Sequence, residues 1–146
     1  SNFPSARALG DAGSAVWPKA DMVCAGFPCQ PFSRSQNTFQ PHAHPAYGFF
    51  RSLLRCLRDT EASAFAFENV TALLSTGKEV FAELKRDLES MGYTVKHAVL
   101  DAKRFGLPQT RKRVFLVGSK GGEPTEFETG GGLPFATLRS IVDVSI

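Results

Sequence analysis

Cysteine is scarce: Cys24, Cys29 and Cys56 are the only ones in 146 residues. They form neither a CxxC pair nor an even set, so a disulfide framework is excluded and a reducing, intracellular setting is expected. No apolar run approaches the roughly 20 residues needed to cross a bilayer, which excludes a helical membrane protein. The opening stretch SNFPSARALG lacks a continuous apolar segment and a signal-peptide pattern. Histidine is equally sparse. His42 and His44 fall in a proline-flanked loop and His97 in a strand-like stretch, without the ligand spacing of a metal site, so no metal is expected. No charge of one sign dominates: the formal net charge is +3, a weak lean towards anionic partners. No internal repeat is visible. With 42% hydrophobic and 21% charged residues, disorder throughout is excluded, and the length suits one compact domain with a core.

What is present has the pattern of an α/β domain. Met22 to Ala25 is a short apolar run between Asp21 and Gly26, as expected of a strand buried on both faces. Phe49, Phe50, Leu53, Leu54 and Leu57 recur at helical spacing, with arginines on the other side. AFAFEN, Ala64 to Asn69, reads as a second buried strand. Val80, Phe81, Leu84, Leu88 and Met91 mark a second helix, with Gly92 as its C-cap. Tyr93 to Leu100 and Arg113 to Gly118 complete the strands. This order predicts a largely parallel sheet, whose ligands gather at the carboxyl ends of the strands. Cys29 and Glu68 both fall there. Between Ser33 and Tyr47 the chain is polar and proline-containing without any period, which predicts a functional loop. The tail from Gly118 to Phe135 is a glycine-rich linker by composition.

Three places could carry chemistry. In DMVCAGFPCQPFS, Pro28 and Pro31 hold Cys29 on a stiff turn at a strand end. That placement suits a nucleophile better than a core thiol. Cys24 and Cys56, inside a strand and a helix, read as buried and inert. Glu68 follows the apolar AFAF run. Its carboxyl is either desolvated, and so protonated and able to donate to a heterocyclic nitrogen, or solvated and paired with an arginine. In PQTRKRVF, alternation puts Arg111 and Arg113 on one side of an extended segment with Lys112 opposite. Two guanidiniums on one face suit phosphate oxygens or a base carbonyl.

GFPCQPFS, then ENV at Glu68 to Val70, then QTRKR at Gln109 to Arg113, resemble in order and spacing the DNA cytosine-5 methyltransferases, over about Asp11 to Gly118. The resemblance implies a Rossmann-like core that uses S-adenosylmethionine, an enzyme of a bacterial modification or restriction–modification system, and double-stranded DNA as partner. It implies a bacterial cytoplasmic or nucleoid-associated location. It makes Cys29 the thiolate that adds to C6 of a cytosine flipped out of the duplex. Glu68 would hold or protonate N3, Arg113 would contact the flipped base, and Arg111 would lie near the same pocket. Asn69 and Gln30 would organise the turn, with Gln30 near the gap left in the duplex. The loop from Ser33 would close on DNA, which makes Ser33 and Arg34 candidate DNA contacts together with Gln109. LGDAG, Leu9 to Gly13, resembles an adenine-contacting aspartate motif. Asp11, Pro28 and Gly48 are therefore candidate cofactor contacts.

Departures from the family pattern shape a further expectation. The glycine-rich cofactor loop and the acidic ribose contact are missing, and HPAYGFF stands where an Arg-Gly pair is usual before the helix. Residues 1–118 are therefore expected to be a partial catalytic domain. Residues 119–146 are expected to be a linker towards an absent target recognition domain, and the isolated polypeptide is expected to be inactive without the remainder of its parent. Two other readings stay open at this point: a non-catalytic regulatory or DNA-binding relative, and a tRNA cytosine methyltransferase.

Overall fold

The computed structural model describes residues 17–27, 48–122 and 124. Four strands form one sheet: β1 (Met22–Gly26), β2 (Ala64–Val70), β3 (Thr94–Asp101) and β4 (Lys112–Ser119). Two helices, α1 (Gly48–Thr60) and α2 (Lys78–Ser90), pack on one face.

Both helices form where the apolar spacing places them. Phe50, Leu53 and Leu57 of α1 and Val80, Leu84 and Leu88 of α2 are buried. Arg51, Arg55 and Arg58 remain exposed. Gly92 ends α2 in the left-handed region at φ 87°. Its N–H donates to the Glu89 carbonyl, and the Tyr93 N–H reaches back to the Leu88 carbonyl at 3.3 Å. Those are the two bonds of a Schellman stop. The Tyr93 hydroxyl then donates to the Ala62 carbonyl at 2.5 Å, tying the end of α2 to the start of β2.

The sheet differs from a largely parallel one. Its order is β1-β2-β4-β3. β1 and β2 are parallel, but β4 pairs antiparallel with both β2 and β3. Three strands thus share a direction, and the reversed β4 is inserted between two of them. The connection from β3 to β4 explains the reversal. It holds only a short 3-10 turn, Ala102–Phe105, and a few further residues, whereas a parallel return needs a crossover of a dozen or more residues. The α/β class stands with a mixed sheet.

Burial is one-sided as well. Phe65, Phe67 and Asn69 of β2 and Val114, Leu116 and Gly118 of β4 face the helices and are buried. On the opposite face, Met22, Cys24 and Gly26 of β1 are exposed. β1 is therefore not buried on both faces, and Cys24 is not a core thiol. Alternation along the strand turns it to the open side. Cys56 is buried in α1, and burial together with the nearby Asp59 carboxylate pushes its thiol up, which makes it a poor nucleophile.

The core is rich in aromatic contacts. Phe65 and Phe67 stack at 4.4 Å, Tyr93 meets Phe65 edge-on at 5.1 Å, and Phe27 meets Phe50 edge-on at 4.9 Å. Gly118 is the partner of Phe65 across β2 and β4. A Cβ there would lie 2.5 Å from Phe65 Cζ. The ring cannot retreat because Phe67 and Tyr93 hold it. Gly118→Ala is expected to lower stability by about 1–3 kcal/mol through overpacking, read as a lower urea midpoint. A midpoint equal to that of the parent would show that the ring has room to move.

Candidate active site

Glu68 comes to the site by strand alternation. Phe65 and Phe67 point into the helices, so Glu68 points to the opposite face. It pairs in register with Gly26 on one side and Phe115 on the other, and Leu100 pairs with Arg113 one strand further. Facing residues share a side of the sheet, so these groups converge at the carboxyl ends of β1, β2 and β3. Glu68, Leu100, Arg113 and Phe115 border a cavity of about 350 Å³, within the size range of ligand pockets. Arg111, Ala102, Phe105 and Leu107 supply the rest of its wall. Arg111 and Arg113 thus share one side, as alternation requires.

Glu68 is not enclosed by apolar surface. Arg113 Nε donates to its Oε1 at 2.8 Å, and 36% of the glutamate side chain remains exposed. Of the two alternatives, the structure holds the one paired with an arginine. The reason is again alternation: the AFAF phenylalanines cover the other face. An ion pair this open contributes on the order of 0–1 kcal/mol to stability. Arg113 is also fixed by Nη1 donating to the Lys112 carbonyl at 2.9 Å. The remaining carboxylate oxygen, Oε2, faces β1, where a Cβ on Gly26 would lie 3.4 Å away. Having no side chain, Gly26 leaves that oxygen uncovered.

Asn69 is 3% exposed and turns to the core side of β2. Its Nδ2 donates to the Phe27 carbonyl at 3.2 Å, and its Oδ1 accepts from the Val70 N–H at 2.7 Å. Phe27 is also gripped by its ring, between Phe50 and Phe67. The backbone just beyond β1 is thereby clamped to the end of β2. Phe27 was not singled out from the sequence, although an aromatic directly before the Pro-Cys turn was the available signal. Asn69→Ala removes the donor from a buried carbonyl. The expected cost is about 1–3 kcal/mol in chemical denaturation, and a change below about 0.5 kcal/mol would contradict the clamp.

Arg111 lines the cavity, and Lys103, Arg104 and Lys112 are exposed in the same stretch of chain. This local run of cationic side chains suits an anionic partner more clearly than the modest net charge does. Gln109 is exposed in the same turn. Cys29, Gln30, Pro28, Ser33, Arg34 and Asp11 lie outside the described residues, as does most of the stretch 119–146. Gly48, the remaining candidate cofactor contact, is the first residue of α1 and is exposed. Among the described residues no helix is long and apolar enough to cross a membrane.

The family description "C-5 cytosine-specific DNA methylase" matches residues 10–139. Among curated relatives, the type II methyltransferase M.MspI of Moraxella sp is 40% identical over 102 residues, covering 68% of this chain and 24% of that protein. The type II methyltransferase M.BsuFI of Bacillus subtilis is 39% identical over 102 residues, covering 69% and 25%. The chain thus spans about a quarter of the length of these relatives. Among solved structures, Entamoeba histolytica methyltransferase EhMeth superposes with a TM-score of 0.58 at 22% identity, over 75% of this chain and 35% of that one. A Spodoptera frugiperda DNMT2 mutant gives a TM-score of 0.58 at 21% identity, over 86% and 40%. Both show a shared fold. The motifs, the matched residues and the fold agree: the chain belongs to the C-5 cytosine-specific DNA methylase family.

Proposed function

We propose that this chain is the catalytic part of a bacterial enzyme that methylates C5 of cytosine in double-stranded DNA. The observation that carries the proposal is the Glu68–Arg113 pair on the wall of a cavity large enough to admit a nucleobase, with one glutamate oxygen turned towards the strand that leads to Cys29.

Cytosine C5 is a weak nucleophile until a group adds at C6. Cys29, two residues past the clamped Phe27 in the sequence, is the thiolate that adds. Addition forms an S–C6 bond and moves the ring electrons to C5 as an enamine. Glu68 steadies that electron shift at N3, using the oxygen that Arg113 leaves uncovered. A proton must reach Glu68 or be shared through it, because the resting carboxyl group is paired with a cation. Arg113 fixes the carboxyl group and faces the base carbonyl, and Arg111 closes the same wall. Gly48 would help to hold S-adenosylmethionine, which when bound would supply the electrophilic methyl group and leave as S-adenosylhomocysteine. Loss of the C5 proton and departure of the Cys29 sulfur then restore the ring.

The cationic run positions the DNA backbone, with Ser33, Arg34 and Gln109 as further contacts and Gln30 beside the flipped-out position. Its place is the bacterial cytoplasm or the nucleoid. The test incubates the complete enzyme with labelled S-adenosylmethionine and duplex DNA carrying 5-fluorocytosine, and offers RNA in parallel. Label and a covalent adduct on DNA are expected. Adducts on RNA alone would move the substrate to RNA, and no adduct with either would leave a non-catalytic relative.

A further inference from the structure

Four of the eight residues that line the cavity, Ala102, Phe105, Leu107 and Arg111, belong to the turn between β3 and β4. That turn must therefore hold its shape for the cavity to exist. Its short 3-10 segment closes on Gly106, which sits at φ 81°. One residue outside the cavity ties both ends of the turn together. Asp101 Oδ1 accepts from the Lys103 N–H at 3.2 Å and from the Arg111 N–H at 3.1 Å. Beside it, the Ala102 N–H donates to the Arg111 carbonyl at 3.0 Å and the Leu107 N–H to the Ala102 carbonyl at 3.3 Å.

From this geometry we infer that Asp101 is a positioning residue for base binding: its single oxygen sets where Arg111, Phe105 and Leu107 stand around the target cytosine. The inference rests on the cytosine methyltransferase reading above. Both bonds end on the same side-chain oxygen, and the amide oxygen of an asparagine can take its place.

The test compares Asp101→Ala and Asp101→Asn in the complete enzyme, beside the unmodified protein. Amide hydrogen exchange reads the two bonds without reference to activity. Lys103 and Arg111 amides should exchange at least about tenfold faster in the alanine variant, and within about threefold of the parent in the asparagine variant. In steady-state methylation of duplex DNA, the alanine variant should lose about 10- to 100-fold in kcat/KM for DNA through misplaced wall residues. Donor binding by calorimetry should be unchanged, and the asparagine variant should recover most of the loss. Unchanged kcat/KM in the alanine variant would overturn the inference. So would an asparagine variant as poor as alanine, or a loss of donor binding matching the loss on DNA, which would mean general unfolding. If the unmodified enzyme does not act on DNA, the functional reading fails instead, and the exchange measurement still decides whether Asp101 holds the turn.

Discussion

Cys29→Ser in the complete enzyme is expected to lower methylation by at least about 10³-fold and to abolish the covalent adduct with 5-fluorocytosine DNA. Serine keeps the size of the side chain but replaces a thiol with an alcohol that is a far weaker nucleophile at neutral pH. The scaffold before it should be untouched: Phe27 remains held by Asn69, Phe50 and Phe67. The variant should therefore fold with the parent's stability and bind duplex DNA with similar affinity. The other thiols cannot substitute. Cys56 is buried in α1 with its thiol pushed up by burial and Asp59. Cys24 pairs in register with Ala66, two residues before Glu68 and away from the carboxyl end of the sheet. An adduct that persists in the serine variant would remove Cys29 from the mechanism.

Glu68→Gln is the second large effect. It keeps the shape and one acceptor, but it cannot accept or deliver a proton and does not pair with a guanidinium by charge. Single-turnover methylation should fall by about 10²-fold or more, with the affinity for duplex DNA little changed. Arg113→Ala should cost activity as well, because it frees the carboxyl group that Arg113 Nε now holds at 2.8 Å. Arg113→Lys should recover only part of the loss, since an ammonium cannot reproduce the planar fork that bonds Glu68 Oε1 and the Lys112 carbonyl together. If the two residues work as one unit, the Glu68→Gln/Arg113→Ala double variant should be much better than the product of the two single losses. Multiplicative losses would show that each acts independently.

These expectations draw on two kinds of information that the sequence carried unequally. The helices were legible because their apolar spacing is local: α1 and α2 bury the residues that the 3.6 period selects, and Gly92 stops α2 as its position suggested. The convergence of Glu68 with Arg113 was legible once the motifs were read together, and alternation alone put Arg111 and Arg113 on one wall. The insertion of β4 between β2 and β3 was not, although two strands following each other without a helix hinted at an antiparallel return. The surroundings of Glu68 stayed open between two alternatives, because an apolar run does not say which face its phenylalanines take; they lie on the opposite face, and Arg113 pairs with the carboxyl group. Asp101 was missed for a different reason. Its two partners are two and ten residues away, and the longer bond exists only because β3 and β4 pair. A side chain whose role depends on tertiary pairing leaves no mark in periodicity or motif spacing.

Family membership also reframes the open face of the sheet. Met22 at 51% and Leu107 at 50% exposure are large apolar side chains in contact with solvent. Leu107 lines the cavity, and under the proposed function its apolar edge is suited to the face of a planar base.

The most direct measurement is a diffraction structure of the complete enzyme trapped on duplex DNA with 5-fluorocytosine at the target position. The account predicts an S–C6 bond from Cys29 and an extruded ring in the cavity between Glu68 and Arg113. It also predicts Glu68 Oε2 within about 3.2 Å of the ring nitrogen N3. A base still stacked in the duplex, or a ring bound where neither Glu68 nor Arg113 reaches it, would contradict the account.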